Sequence, residues 1–363
     1  MKILHIHTEF ESGGIEAVIC NLANEMAKTH DVSVCSIFKP SDKAIYWNKI
    51  SLSVKKITLG KVAKGFSIKE LFLIYKTIKG GHFDVVHMHG CFYYYLFAIC
   101  FLFSKIKFVY TIHSDAKMEN VSWDAKLFPL KRFFFKKHLV IPVCISKVSQ
   151  KSFENLYHCH SNLIFNGITA PMISDVSSYI NRYRITPETK IFIHVGRITK
   201  AKNQEVLCRV FKKLIDLNND VVLLVAGAKE DKTIWGEIER YFGTRIVHIG
   251  ERSDVPSLLA YSDAMCLPSI WEGLPMILLE TLTVGCIPIC SPVGGIVDII
   301  TSGNNGILSK SSSEEDYYQS ICHFLKLTND EKNRMKEQCL DTVKSYMIQN
   351  VVNDYIDLYT KNK

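Results

Sequence analysis

The chain has twelve cysteines but no Cys-x-x-Cys pair, which removes the spacing of a structural zinc site. An α/β chain of this length needs no disulfides, so its cysteines are expected as reduced core residues of a cytoplasmic protein. Long hydrophobic runs are missing too. The longest, Cys91 to Phe103, has thirteen residues and is too short to span a bilayer comfortably. The opening Met1-Lys2-Ile3-Leu4-His5-Ile6-His7 reads as a short strand and not as a leader peptide. Neither secretion nor a transmembrane anchor is expected. There is no short-period repeat, no low-complexity tract and no nucleic-acid motif.

What remains is an ordinary globular composition, with 47% hydrophobic and 22% charged residues and ample core. At 363 residues the size prior gives about two domains. Charge is unevenly spread. Residues 1–180 carry 22 Lys+Arg against 13 Asp+Glu, and residues 181–363 carry 22 against 23. A basic half can face a phosphorylated acceptor or an anionic membrane, or it can simply be solvated surface.

Strand and helix patterns alternate throughout. In the first half, strands are expected over Ile3–His7, Val32–Phe38, Val85–His89, Phe108–His113 and Leu139–Ser146. Helices are expected over Ile15–Lys28, Lys69–Ile78 and Phe92–Phe103. In the second half, strands are expected over Ile191–Val195, Val221–Ala226, Ile246–Ile249, Ala264–Leu267 and Ile287–Cys290, with a helix over Gln204–Leu217. The polar stretch Ile168–Thr189 between them reads as a linker, and the helices from Asp330 onward are amphipathic. Such alternation implies doubly wound parallel sheets, whose ligands bind at the carboxyl ends of strands.

The loops at those ends carry the candidate site residues. In Pro268-Ser269-Ile270-Trp271-Glu272-Gly273-Leu274-Pro275-Met276-Ile277-Leu278-Leu279-Glu280, a strand stops at Pro268 and a buried helix starts, with Pro275 expected at its first position. Glu272 lies in the loop, and Glu280 shares a helix face with Met276. The free amides of that helix start, Met276 and Ile277 among them, attract an anion. Acids flanking a bound phosphate would repel it, so Glu272 and Glu280 are expected to accept hydrogen bonds from hydroxyls on either side of it, as on a sugar nucleotide. Gly13-Gly14 follows the first strand as a phosphate loop should, yet it lacks the third glycine of a dinucleotide fingerprint; a plain turn is the other reading. Arg197 and Lys202, five apart after Gly196, can reach one diphosphate as a fork and a point charge, or can be surface cations. His87 and His89 form a His-x-His pair with no carboxylate or cysteine at ligand spacing, so they are read as structural or acceptor-lining, and no metal site is expected. His113 is set at a strand end.

Together these stretches resemble glycosyltransferase family 4. The Pro-Ser…Glu-Gly-Leu-Pro…Glu setting, with seven residues between the glutamates, is similar to the family's donor motif. Val195-Gly196-Arg197…Lys202-Asn203 is similar to its Gly-Arg…Lys motif, and Gly13-Gly14-Ile15-Glu16 to its Gly-Gly-x-Glu loop. Asn166-Gly167-Ile168 resembles its turn before the interdomain linker. Gly294-Gly295 with Asp298 resembles its later Gly-Gly-x-x-Glu element, with aspartate for glutamate, and Pro275 stands where many relatives have glycine. The resemblance implies a GT-B architecture, two Rossmann-like doubly wound domains facing a central cleft. Residues 1–167 would form the acceptor-side domain, with a helix of about residues 347–363 packing back on it, and residues 168–346 the donor domain. It further implies a retaining, metal-independent transferase using a nucleotide-sugar, a UDP-sugar, and a glycan or lipid-linked acceptor. No cofactor beyond that co-substrate and no nucleic acid are implied.

By the same resemblance, Glu272, His113, Arg197 and Lys202 are catalytic. Gly13, Gly14, Gly196, Arg197, Lys202, Val255, Gly273, Leu274, Met276, Ile277 and Glu280 hold the donor, Glu280 at the ribose and the Val255 backbone at the base. Phe101-Leu102-Phe103 and Lys131-Arg132-Phe133-Phe134-Phe135-Lys136-Lys137 mix bulky apolar with basic residues. They read either as a peripheral contact at the cytoplasmic membrane face or as buried helices with solvated lysine ends. A different GT-B enzyme, such as a sugar-nucleotide epimerase, and a non-catalytic nucleotide-sugar-binding protein remain open.

Overall fold

The computed structural model describes residues 1–11, 13–41, 44–63, 65, 67–90, 99–117 and 128–361. Two compact units emerge, Met1–Thr169 with Tyr346–Lys363, and Ala170–Ser345. In the first, seven strands form one sheet: β1 (Lys2–His7), β2 (Asp31–Phe38), β3 (Lys55–Lys61), β4 (Val85–His89), β5 (Lys107–Ile112), β6 (Ile141–Cys144) and β7 (Asn162–Leu163), in the order β3-β2-β1-β4-β5-β6-β7. In the second, six strands form the other: β8 (Lys190–Val195), β9 (Val221–Ala226), β10 (Ile246–Gly250), β11 (Ala264–Leu267), β12 (Ile287–Cys290) and β13 (Ile307–Leu308), in the order β10-β9-β8-β11-β12-β13. The pairings in both sheets are parallel. Strand order reverses between β1 and β4, and again between β8 and β11. These are the crevices where open α/β sheets take ligands.

The two interiors are built differently. In the second unit, β9 is buried at every position, as a parallel strand covered on both faces requires. The helix Gln204–Asp216 turns Leu207, Val210, Phe211 and Leu214 into that core at helical spacing. In the first unit, side chains alternate across the sheet. Leu4 and Ile6, Val86 and Met88, and Tyr110 and Ile112 face the apolar core. His5 and His7, His87 and His89, and Thr111 take the opposite parity, and all five are buried. Two helices of this unit, Gly14–Met26 and the terminal Ile348–Thr360, pack on each other. Lys107, buried at the start of β5, ties the end of the terminal helix by donating to the carbonyls of Leu358 at 3.2 Å, Tyr359 at 2.7 Å and Lys361.

Several sequence expectations need correction. Pro275 is not the first helical residue. It is the N-cap of the helix Met276–Thr283, extended at ψ 126, because its carbonyl already accepts from the Leu278 amide at 3.0 Å. Part of the linker is ordered: it holds a short helix, Ser177–Asn181, and Tyr179 of that helix stacks under the Arg252 guanidinium at 4.5 Å. The strand expected through His113 ends at Ile112. β3 and the helix Lys147–Tyr157, capped by Ser146 through the Ser149 amide, were not expected at all. Of the helix expected over Phe92–Phe103, residues 91–98 lie outside the described residues. Lys131 is not solvated but fully buried. Of the described cysteines, all but Cys159 and Cys322 are buried and every one is free.

Candidate active site

The second unit's candidate residues converge on the β8/β11 crevice. β8 ends in Gly196-Arg197, and a tight turn over Lys200–Lys202 follows, closed by Asn203 at φ 56. Asparagine tolerates this left-handed conformation better than most residues. Its side-chain amide donates to the carbonyls of Pro268 at 3.1 Å and Ser312 at 3.3 Å. The Ile270 amide donates to the Ala201 carbonyl at 2.8 Å, so the loop after β8 and the loop after β11 are sewn together. Lys202 Nζ then meets Glu272 Oε1 at 2.6 Å, and Ser269 Oγ donates to the same oxygen at 2.6 Å. The pair is largely shielded, the Glu272 side chain keeping 10% of its exposure, and so is screened less than a surface pair.

Arg197 stands apart from this pair. It bonds Glu230 at 2.7 Å, and both side chains are mostly exposed. Its backbone is held from below by two residues that sequence reasoning missed. Buried Gln204 donates to the Arg197 carbonyl at 2.8 Å and lies 3.2 Å from His194 Nε2. His194 Nδ1 donates to the Cys266 carbonyl on β11 at 2.9 Å. Burial, partly opposed by that bond, pushes the His194 imidazole down to about 4. The only sequence signal was a polar pair inside an apolar frame.

Close approach of two loops requires glycine at Gly294. A Cβ on Gly294, at φ +54, would lie 1.9 Å from the Glu272 carbonyl oxygen, and the Gly295 amide donates to the Gly273 carbonyl at 2.5 Å. Only a residue without a side chain lets the loop after β12 support the Glu272 loop so closely. Downstream, the Met276–Thr283 helix has no side-chain cap at Pro275, so its first amides, Met276 and Ile277, keep their anion-binding capacity. Leu274 is buried and Glu280 half-buried. Val255 opens the helix Val255–Ala260 after Asp254, which Arg252 grips with two bonds of 2.9 and 2.6 Å.

In the first unit, the residues after β1, β4 and β5 form the other cluster. Gly13 is the N-cap of the Gly14–Met26 helix. Glu16 folds back over it, so that a Cβ on Gly13 would sit 2.4 Å from Glu16 Oε2. Burial pushes the Glu16 carboxyl up, but hydrogen bonding and charge from His7 outweigh this and leave it below its usual range. His7 Nδ1 donates to the His89 carbonyl at 2.8 Å. His113 Nε2 lies 3.0 Å from His89 Nδ1, whose Nε2 lies 3.1 Å from His5 Nδ1. Burial, helped by His7, pushes His113 down to about 3. His87 is bonded on both nitrogens, to Tyr359 Oη at 2.6 Å and Thr111 Oγ1 at 2.7 Å. The sequence pair His87/His89 thus gains a third member, His5.

Known proteins match both units. Residues 12–170 match the family described as Glycosyltransferase Family 4, and residues 175–339 match Glycosyl transferases group 1. The chain is a family 4 glycosyltransferase. The transferase is 24% identical to a UDP-Gal:alpha-D-GlcNAc-diphosphoundecaprenol alpha-1,3-galactosyltransferase of Escherichia coli, over 80% of this chain and 79% of the other. It is likewise 24% identical to a GalNAc-alpha-(1->4)-GalNAc-alpha-(1->3)-diNAcBac-PP-undecaprenol alpha-1,4-N-acetyl-D-galactosaminyltransferase of Campylobacter jejuni, over 100% of this chain and 99% of the other. Its fold matches that of Anabaena HepE, solved with UDP and glucose, at a TM-score of 0.82 and 16% identity, covering 99% of each chain. The GT-B fold of two Rossmann-like domains is therefore the transferase's own. Among the described residues, no helix of the transferase is long and apolar enough to cross a membrane.

Proposed function

We propose that this transferase moves a hexosyl unit from a UDP-sugar to a hydroxyl of a glycan or lipid-linked acceptor, with retention and without a metal. The observation that carries the reading is the meeting of Lys202 and Glu272 at 2.6 Å across neighbouring strand ends at a switch point. A cation and a carboxylate placed there suit a substrate with a diphosphate next to a sugar. Lys202 and Arg197 are assigned to the leaving nucleoside diphosphate, together with the amides of Gly13, Gly14, Gly196, Met276 and Ile277. Stabilising the departing anion by such charges is often the largest catalytic term, and it makes a metal unnecessary. In the resting protein each cation sits on a carboxylate, Glu272 or Glu230. An arriving diphosphate displaces these partners, which frees Glu272 to accept bonds from donor-sugar hydroxyls and to stabilise the oxocarbenium-like centre.

Glu280 takes the ribose, the Val255 backbone reads the base, and Gly273 with Leu274 shapes the loop beside the sugar. His113 contacts the donor sugar or the acceptor. Retention follows from front-face attack, with the leaving phosphate oxygen taking the acceptor proton. The lipid-diphosphate substrates named for the Escherichia coli and Campylobacter jejuni relatives favour a lipid-linked acceptor in surface-glycan synthesis. Exposed Phe101, Leu102, Leu130 and Phe133, on the unit richer in basic residues, suit a peripheral contact with the cytoplasmic membrane face.

The test is a panel of UDP-, GDP- and ADP-sugars incubated with the protein. Nucleotide release is followed over time, and the anomeric configuration of the product is read by NMR. Slow release from one UDP-sugar and retained configuration are expected. No binding of any sugar nucleotide by the folded protein would overturn the reading.

A further inference from the structure

Five buried or half-buried histidines crowd one face of the first sheet, and four of them bond to one another or to hydroxyls rather than to carboxylates. Their alignment follows from register. His5 stands opposite His87, His7 opposite His89, and His89 opposite Thr111, so residues of one parity share one face and His113 continues the row beyond β5. Burial pushes the imidazoles of His5, His87, His89 and His113 far down, which leaves each neutral, with one ring proton.

That single proton gives the row a direction. His5 Nε2 is buried and has no hydrogen-bond partner. An orphaned N–H costs more than an orphaned lone pair, so the proton of His5 belongs on Nδ1. His5 Nδ1 then donates to His89 Nε2 at 3.1 Å, which must be the unprotonated nitrogen. His89 consequently carries its proton on Nδ1 and donates to His113 Nε2 at 3.0 Å. His113 is left with its proton on Nδ1.

We propose that His5 and His89 are positioning residues that lock His113 in the Nδ1–H tautomer, so that His113 serves the reaction as a hydrogen-bond donor and not as a base. The proposal rests on the reading of His113 as a substrate contact. Its Nε2 lone pair, the one a base would use, is occupied by His89. His7 and Glu16 also act on His113 through their charge. A bound cation is the competing account of the cluster, since ligand atoms of His5, His87 and His89 lie within 4.8 Å of one another. It would have to displace the Tyr359 or Thr111 bond of His87 and break the bond of His89 to either His5 or His113. The hydrogen-bonded row needs no such disruption.

The test is nitrogen NMR of the full chain labelled at histidine, with the His113 signals assigned by their loss in His113→Gln. The wild type should show a protonated Nδ1 and an unprotonated Nε2 at His113, unchanged between pH 8 and 6. In His89→Phe, both tautomers should appear and the imidazole should take up protons at a higher pH. Donor kcat should fall with the fraction of His113 left in the donating tautomer, roughly two- to tenfold, with KM little changed. His89→Asn sets an amide donor where Nδ1 stood and should restore the single tautomer. Should His89→Phe not fold, His5→Phe removes the head of the row and should mix the tautomers too. A proton on Nε2 of His113 in the wild type would overturn the proposal. So would an unaltered tautomer in His89→Phe, or one tightly held zinc ion per chain that shifts these signals. The tautomer is read without substrate, so a protein that binds no sugar nucleotide would sink the proposed function and leave the lock standing.

Discussion

The two units share a doubly wound topology and place their candidate residues at equivalent strand ends, yet they hold those residues by opposite chemistry. Residues 170–345 use charge. Lys202 is paired with Glu272 and Arg197 with Glu230, above strands whose buried faces are almost wholly apolar. The first unit, beside one His7–Glu16 pair, uses mostly neutral rings, with His5, His89 and His113 bonded in a row and His87 bonded to Thr111 and Tyr359. Charges at a strand end suit an anion that arrives and departs, because ion pairs can exchange partners. A neutral, direction-fixed row suits a contact whose geometry must not change during turnover. The difference teaches that topology places a site, while the chemistry of the strand-end residues decides what it can bind.

The largest way to break this comparison is acid. His5, His87, His89 and His113 are held far below their ordinary value, whereas the second unit has one comparable histidine, His194. A histidine neutral in the folded state but charged when unfolded stabilises the fold above the unfolded value near 6.5, and this contribution is lost as pH falls below it. Each costs about 1.4 kcal/mol per pH unit. The first unit should therefore lose on the order of 5 kcal/mol per unit below pH 6.5, about four times the loss of the second. Hydrogen exchange followed by mass spectrometry across pH 7 to 5 reads the two units separately, and equal loss of protection in both would contradict the difference.

Glu272→Ala should lower donor turnover by about 10³-fold or more, since it removes the carboxylate and strands the Lys202 charge. Glu280→Ala should mainly weaken donor affinity, by roughly tenfold, the scale of one lost hydrogen bond to a charged group. Full activity in both variants would sink the site assignment. Within the charged unit the two cations should also differ. Lys202→Met should cost roughly 10²- to 10³-fold in kcat/KM. Arg197→Met should cost less, because its exposed pair with Glu230 is solvent-screened. Steady-state kinetics with one donor ranks them.

Smaller effects sharpen the structural side. Gly294→Ala puts a methyl against the Glu272 carbonyl at a left-handed position, so it should destabilise by about 1–3 kcal/mol and reduce turnover with it. Tyr359→Phe leaves His87 Nδ1 without its hydroxyl partner and should cost about 1 kcal/mol. Exchange protection should be lost in the terminal helix and β4 and kept in residues 170–345.

The alternation of apolar strands with amphipathic helices determined both doubly wound sheets, and the resemblance to family 4 motifs singled out Glu272, Lys202 and Gly294 in the loops after strands. These signals are local: a strand of four to six residues, a proline or glycine at a turn, a cation a few positions past a strand. Only the tertiary structure decided which of them meet. Lys202 and Glu272 are seventy positions apart and joined because β8 and β11 lie side by side. His5 and His89 are eighty-four apart and joined because β1 pairs with β4. Gln204 and His194 were not singled out by any motif, and only the folded chain brings them together beside the Arg197 backbone. Strand order and register arise from long-range pairing, and side-chain hydrogen bonds between distant segments leave no period in the sequence.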